Sequence, residues 1–161
     1  MTPRVGERLT GCFSFDKIKP IELVGFSVII TMIKISKKTQ YGLRAMVCLA
    51  KHYKSKQVCS TKIISKAEGI PFDFLEKIIS KLERAKLVTG KKGVQGGYIL
   101  SKLPKKISAK DIVSVLEENK KPVDCALCGR KKECLTKDVW SKVELSLNKT
   151  LNSITLADLI K

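Results

Sequence analysis

Three thiols fall within ten residues in the segment Asp124-Cys125-Ala126-Leu127-Cys128-Gly129-Arg130-Lys131-Lys132-Glu133-Cys134. Thiolates so closely spaced are natural ligands for an iron–sulfur cluster or for zinc, and a short loop can fold around either. Arg130, Lys131 and Lys132 favour the deprotonated, metal-binding form of sulfur. Three sulfurs leave one coordination position to be filled by Asp124, Glu133, Asp138, a residue of a second chain or a small molecule. An iron–sulfur cluster, 2Fe–2S or 4Fe–4S, is the leading reading. Zinc is an alternative, as are metal-free thiols, including a Cys125–Cys128 disulfide switch. The remaining cysteines differ: Cys12 lies in the leading stretch, Cys48 in an apolar helical pattern and Cys59 just before a helix start. Single thiols of that kind act as small hydrophobes. His52, the only histidine, falls on the first helix and reads as structural. With one histidine and no nucleophile–base arrangement, a thiol-dependent enzyme is the weaker reading.

A second chemistry is cationic. The net charge of +17 over 161 residues is uneven: residues 1–31 carry +1, residues 32–104 carry +12 and residues 105–161 carry +4. An excess concentrated in the middle segment favours a polyanion, through phosphate neutralisation and counterion release. A generally lysine-rich surface is the blander explanation of charge alone. Lys77, Ser80, Lys81 and Arg84 recur at helical spacing, two residues out of step with Leu75, Ile78, Ile79 and Leu82. At about 100° per residue that offset puts donors on one face and the apolar stripe on the other. Such a helix suits a DNA major groove.

Elements must hold these groups in place. Ser36–Tyr53 reads as a helix with Leu43, Met46, Val47 and Ala50 as its stripe. A shorter helix starts at the N-cap Ser60, turns Ile63, Ile64 and Ala67 inward, and ends at Gly69. Pro71 opens the third helix at its first turn, with Asp73 and Glu76 near the positive end of the dipole. Two helices across so short a break make a helix-turn-helix. Leu87–Thr89 and Tyr98–Leu100 flank a glycine-rich basic tip holding Lys91, Lys92, Gln95, Gly96 and Gly97, which reads as a wing. A further helix begins at Ser108 with Asp111 three residues on, carrying Ile112, Val115 and Leu116 inward. The last, from about Leu135 to Asn152, carries Leu135, Val139, Val143, Leu147 and Leu151 with Trp140 beside them. So long a stripe suits pairing with a second copy, a homodimer.

The expected fold is therefore mainly α with a small β-hairpin wing: a winged helix-turn-helix domain, residues 32–104, then cysteine-loop and dimerisation helices, residues 105–161. Residues 1–31 are expected to be a leader outside the native fold. Its apolar stretch, Ile21–Ile33, contains Glu22 and is too short to span a bilayer. No secretory signal is recognisable, and the cysteine use suits the cytoplasm. The DNA-contacting set is Asp73, Glu76, Lys77, Ser80, Lys81, Arg84, Lys91, Lys92, Gln95, Gly96 and Gly97; the metal set is Cys125, Cys128 and Cys134.

From about Met32 to Lys161 the chain resembles the Rrf-two family of bacterial regulators, including its IscR- and NsrR-like iron–sulfur types. The resemblance rests on Ile35-Ser36-Lys37-Lys38-Thr39-Gln40-Tyr41-Gly42-Leu43-Arg44-Ala45-Met46, on Gly69-Ile70-Pro71 with Phe74-Leu75-Glu76-Lys77-Ile78, and on Gly93-Val94-Gln95-Gly96-Gly97-Tyr98. Cys134-Leu135-Thr136 leading to Trp140, and Ile154-Thr155-Leu156-Ala157-Asp158-Leu159, add to it. It implies a homodimeric repressor whose winged domains read a palindromic double-stranded DNA operator under control of a cluster on the three cysteines. It also implies that Glu76 tunes operator choice and that Lys92 enters the minor groove. Family members govern iron–sulfur assembly, iron supply, cysteine metabolism or nitric-oxide responses, so a cluster-free regulator of sulfur metabolism is the alternative. The chain departs from the family pattern in its tight Cys125–Cys128 gap. Lys137 stands where the IscR type has a histidine ligand, and Gln40 where the NsrR type has an aspartate. The fourth ligand is thus left open.

Overall fold

Helix α1, Lys37–Lys51, opens at Ser36, whose extended backbone and side-chain oxygen make it an N-cap that accepts from the Thr39 amide at 3.3 Å. The computed structural model describes residues 35–93, 96–117 and 134–161. The leading stretch, Val94, Gln95, Cys125 and Cys128 lie outside the described residues. On α1 the buried apolar side chains are Ala45, Met46, Cys48, Leu49 and Ala50, joined by buried Thr39 and Gly42, whereas Leu43 and Val47 pack at its margin. The stripe is rotated and wider than the predicted one because the next three helices and the second strand all pack on α1.

Helix α2, Thr61–Glu68, is capped by Ser60, whose Oγ accepts from the Ile63 amide at 3.3 Å. Gly69 ends it with left-handed backbone, φ 60° and ψ 38°. Ile64 is its one buried residue; Ile63 is 55% exposed and Ala67 is exposed too. That corrects the inward placement of all three: an eight-residue helix leaning on α1 and α3 buries a single line of side chains. Helix α3, Phe72–Arg84, starts with Pro71 at the N-cap instead of the first turn. Its stripe is as the spacing predicts, with Leu75, Ile78, Ile79 and Leu82 at most 1% exposed. Burying each such side chain contributes about 1.5–3 kcal/mol. The helix closes where the Lys86 amide donates to Glu83 O at 2.8 Å and the Leu87 amide to Leu82 O at 3.0 Å. This is the two-bond Schellman turn, with Lys86 taking the left-handed position at φ 57°.

Strands β1, Val88–Lys91, and β2, Gly97–Leu100, form an antiparallel hairpin in which Val88 faces Leu100 and Lys91 faces Gly97. Val88 and Leu100 anchor it in the core. On its other edge β2 is joined to the chain before α2. The Tyr98 amide donates to Cys59 O at 2.8 Å, and the Cys59 amide to Tyr98 O at 3.1 Å. After a 3-10 turn at Pro104–Lys106 comes α4, Ala109–Leu116, begun by the predicted capping box of Ser108 and Asp111. Ile112 and Leu116 face α1 and α3, where Gly42 makes room: a Cβ there would collide with Leu116 Cδ1. Helix α5, Lys137–Ser153, lies against α4, and the short α6, Leu156–Leu159, returns to the core through fully buried Leu156. Two backbone bonds fix that return, Ala109 N to Ile154 O at 2.8 Å and Leu156 N to Ile107 O at 2.9 Å. The fold is the expected one, mostly helical with a two-stranded wing.

Candidate nucleic-acid interface and cysteine loop

With its apolar side buried, α3 turns Asp73, Glu76, Lys77 and Arg84 to solvent, while Ser80 and Lys81 are half-buried. Asp73 stands in its first turn and Lys81 and Arg84 in its last, as the helix dipole favours. Aromatic and ionic contacts brace its start. The Phe74 ring meets Tyr41 of α1 edge-on, centroids 5.8 Å apart at 87°. Arg44 lies 6.0 Å from the Tyr41 ring centroid, ion-pairs with Glu68 at 3.2 Å and donates to the Glu68 carbonyl. One arginine thus ties the C-terminal end of α2 to α1, a brace that nothing local in the sequence announces.

The wing carries Lys91 and Lys92, both exposed, which share a cleft with Phe72 and Glu83 of α3. Gly96 and Gly97 are half-buried. A Cβ at Gly97 would lie 2.5 Å from Cys59 O, so this glycine is needed where β2 meets the chain before α2. Between the start of α2 and the wing runs an open cleft of about 480 Å³, lined by Ser60, Lys62, Phe72, Glu83, Lys91, Lys92 and Tyr98 among others. Lys62, Glu83 and Tyr98 are not among the contacts expected from the sequence. Only Lys62 had a local signal, as a cation in the first turn after an N-cap. Burial pushes the Tyr98 phenol up from its ordinary value, and the Glu83 and Glu76 carboxylates push it further.

The thiols divide by surroundings. Burial pushes Cys48 up to about 11, helped by Cys59 and Glu68, and burial raises Cys59 too. Partly exposed Cys134 is held below the ordinary thiol value, first by the Thr136 hydroxyl 3.3 Å away and then by the Thr136 amide. These bonds favour its thiolate, the form in which sulfur ligates a soft metal or cluster. Among the described residues no group of three His, Cys, Asp or Glu side chains is arranged around a metal position; Cys125, Cys128, Asp124 and Glu133 are outside them. His52 is structural, its Nδ1 2.9 Å from the Cys48 carbonyl. Gln40 donates to the Ile35 carbonyl at 3.0 Å, and Lys137 and Asp138 are exposed at the start of α5.

Comparison with known proteins agrees with this arrangement. Residues 35–161 match the family model Rrf2, described as an iron-dependent transcriptional regulator. The protein rrf2 of Nitratidesulfovibrio vulgaris is 36% identical over 132 residues, covering 80% of this chain and 87% of that protein. Among solved structures, T. potens IscR has a TM-score of 0.68 at 39% identity, over 81% of this chain and 88% of that one. CymR of B. subtilis, described as the global cysteine regulator, has a TM-score of 0.70 at 34% identity, over 80% and 96%. No helix among the described residues is long and apolar enough to cross a membrane. A recognition-type helix beside a basic wing, matched along residues 35–161, makes this chain a DNA-binding transcriptional regulator of the Rrf2 family, not an enzyme.

Proposed function

We propose that the protein is a cytoplasmic homodimeric repressor whose operator binding is governed by an iron–sulfur cluster on Cys125, Cys128 and Cys134. The observation that carries the DNA-contacting part is the division of α3 into a buried stripe and an outward side of Asp73, Glu76, Lys77, Ser80, Lys81 and Arg84. Lys91 and Lys92 of the wing extend that surface, with Gly96 and Gly97 shaping the tip; Gln95, outside the described residues, joins the set on sequence alone. Glu76, at the start of the second turn, accepts from a cytosine amino group and selects sequence, while the lysines and arginine meet phosphates. Dimerisation is supported by α5, of whose seventeen residues none is buried and which exposes Val139, Trp140 and Leu145, with Leu135 just before it 98% exposed. Cluster binding is supported by the donor set, by the hydrogen bonds that favour a thiolate at Cys134 and by kinship with an iron-dependent family.

Anaerobic purification followed by an absorption spectrum tests the cluster. The expected protein is brown and loses its visible bands on Cys128→Ala; a colourless protein free of iron overturns it. The similarity to CymR favours a second reading. In it the same winged dimer governs sulfur metabolism without a cluster, through a protein partner or thiol oxidation.

A further inference from the structure

We propose that Glu83, in the last turn of α3, is a positioning residue that fixes the wing against the reading helix by holding the outward amide of Gly90. The proposal deepens the DNA-binding reading above and rests on it. Residues opposed across an antiparallel pair alternately exchange two backbone bonds or none. Gly90 is opposed to Tyr98, whose amide and carbonyl are both turned to Cys59. The Gly90 amide therefore points away from β2, onto the free edge of β1. There Glu83 Oε1 accepts it at 3.0 Å.

The absence of a side chain at residue 90 suits the same contact. A Cβ at Gly90 would stand 2.8 Å from Glu83 Oε1 and 3.5 Å from Tyr98 Cε1. Positive φ does not explain this glycine, since among the described residues Gly69 and Gly93 are the glycines that have it. Glu83 Oε1 is the far end of a flexible side chain, so a Cβ at residue 90 would displace the carboxylate rather than the backbone. Glu83 acts at both ends of the connection, because its own carbonyl accepts from Lys86 in the turn that ends α3. Directly beyond Gly90 come Lys91 and Lys92, lining the same cleft as Glu83. Holding the amide thus sets where those cations stand relative to α3. The sign of the effect is diagnostic. A carboxylate so close to a phosphate-binding surface repels DNA, and if charge were its whole role its loss would tighten binding.

The test compares wild type with Glu83→Ala, Glu83→Gln, Gly90→Ala and the Glu83→Ala/Gly90→Ala double variant. The probe is a fluorescein-labelled duplex enriched by the wild-type protein from a randomised pool. Glu83→Ala is expected to weaken binding about three- to tenfold, the loss of roughly one orienting hydrogen bond. Glu83→Gln, whose amide oxygen still accepts, stays within about twofold of wild type or binds tighter. Gly90→Ala, whose Cβ displaces the carboxylate but keeps the amide, loses no more than Glu83→Ala, and the double variant is no weaker than Glu83→Ala alone, because both act on one contact. Equal or tighter binding by Glu83→Ala, or losses that add in the double variant, overturns the proposal. Amide exchange at Gly90 reads the contact without DNA: faster exchange in Glu83→Ala supports it and an unchanged rate overturns it. A wild-type protein that enriches no duplex overturns the DNA-binding reading instead, and the exchange measurement then still decides whether Glu83 holds the amide.

Discussion

Cys134 and the two core thiols carry the same atom in opposite surroundings. Around Cys48 and Cys59 there is packed hydrocarbon, which disfavours a thiolate; around Cys134 there is a hydroxyl, backbone amides and water, which favour it. In metal-free folded protein near neutral pH, iodoacetamide should therefore label Cys134 more than about a hundredfold faster than Cys48, since each pKa unit is tenfold in thiolate. Peptide mass spectrometry against time checks this, and equal labelling rates would show that the core thiols are not sealed. The sequence separates buried from accessible thiols here, because Cys48 sits inside a helical apolar pattern and Cys134 follows the basic run Arg130-Lys131-Lys132; the Thr136 hydroxyl emerges only in the structure. Glu83 is invisible at the same level. Its partner Gly90 is seven residues on, across a helix end and a turn, and no periodicity links them.

At the scale of elements, Glu117 staples the end of α4 to the start of α1. Its Oε1 accepts from the Ser36 amide at 3.0 Å and from the Ser36 and Thr39 hydroxyls, both at 2.6 Å. Burial alone would raise this carboxyl, but those bonds, with Lys38 nearby, hold it below its ordinary value. A depressed carboxylate contributes stability above the ordinary carboxylate range and loses it as pH falls through the lowered folded value. Glu117→Ala should cost about 1.5–3 kcal/mol at neutral pH, as expected for hydrogen bonds to a charged group. Urea denaturation should find that gap narrowing on acidification; a gap constant with pH would mean that the carboxylate charge plays no part. The Ser36 N-cap is legible in the sequence, yet its carboxylate partner lies eighty-one positions away and has no local signature. Legibility follows geometry elsewhere too. Helix α3 packs along one side, so its 3.6-residue period reads out Leu75, Ile78, Ile79 and Leu82 directly. Helix α1 is surrounded by several elements, which blurs its period and shifts Leu43 and Val47 to the margin. Helix α2 is too short for its period to tell Ile63 from Ile64.

For the whole molecule, the exposed apolar residues of α5 and the outward side of α3 belong to one proposed design, since two-fold pairing duplicates a half-site reader. Charged substitutions on α5, Val139→Lys with Leu145→Lys, should convert a dimer to a monomer in sedimentation and weaken operator binding steeply; an unchanged sedimentation profile would remove α5 from the dimer contact. The central claim remains that the polar side of α3 and the wing meet a duplex. Its most direct test is the affinity for a duplex from the gene's own upstream region, followed against salt for wild type, Lys77→Ala, Arg84→Ala, Lys92→Ala and Glu76→Ala. Wild-type affinity should fall steeply as salt rises, and removing a phosphate-contacting cation should lower the log–log slope by about 1 per contact. Glu76→Ala should instead change which sequences are preferred. Binding that ignores salt, or a slope and preference identical in all four variants, would contradict the account.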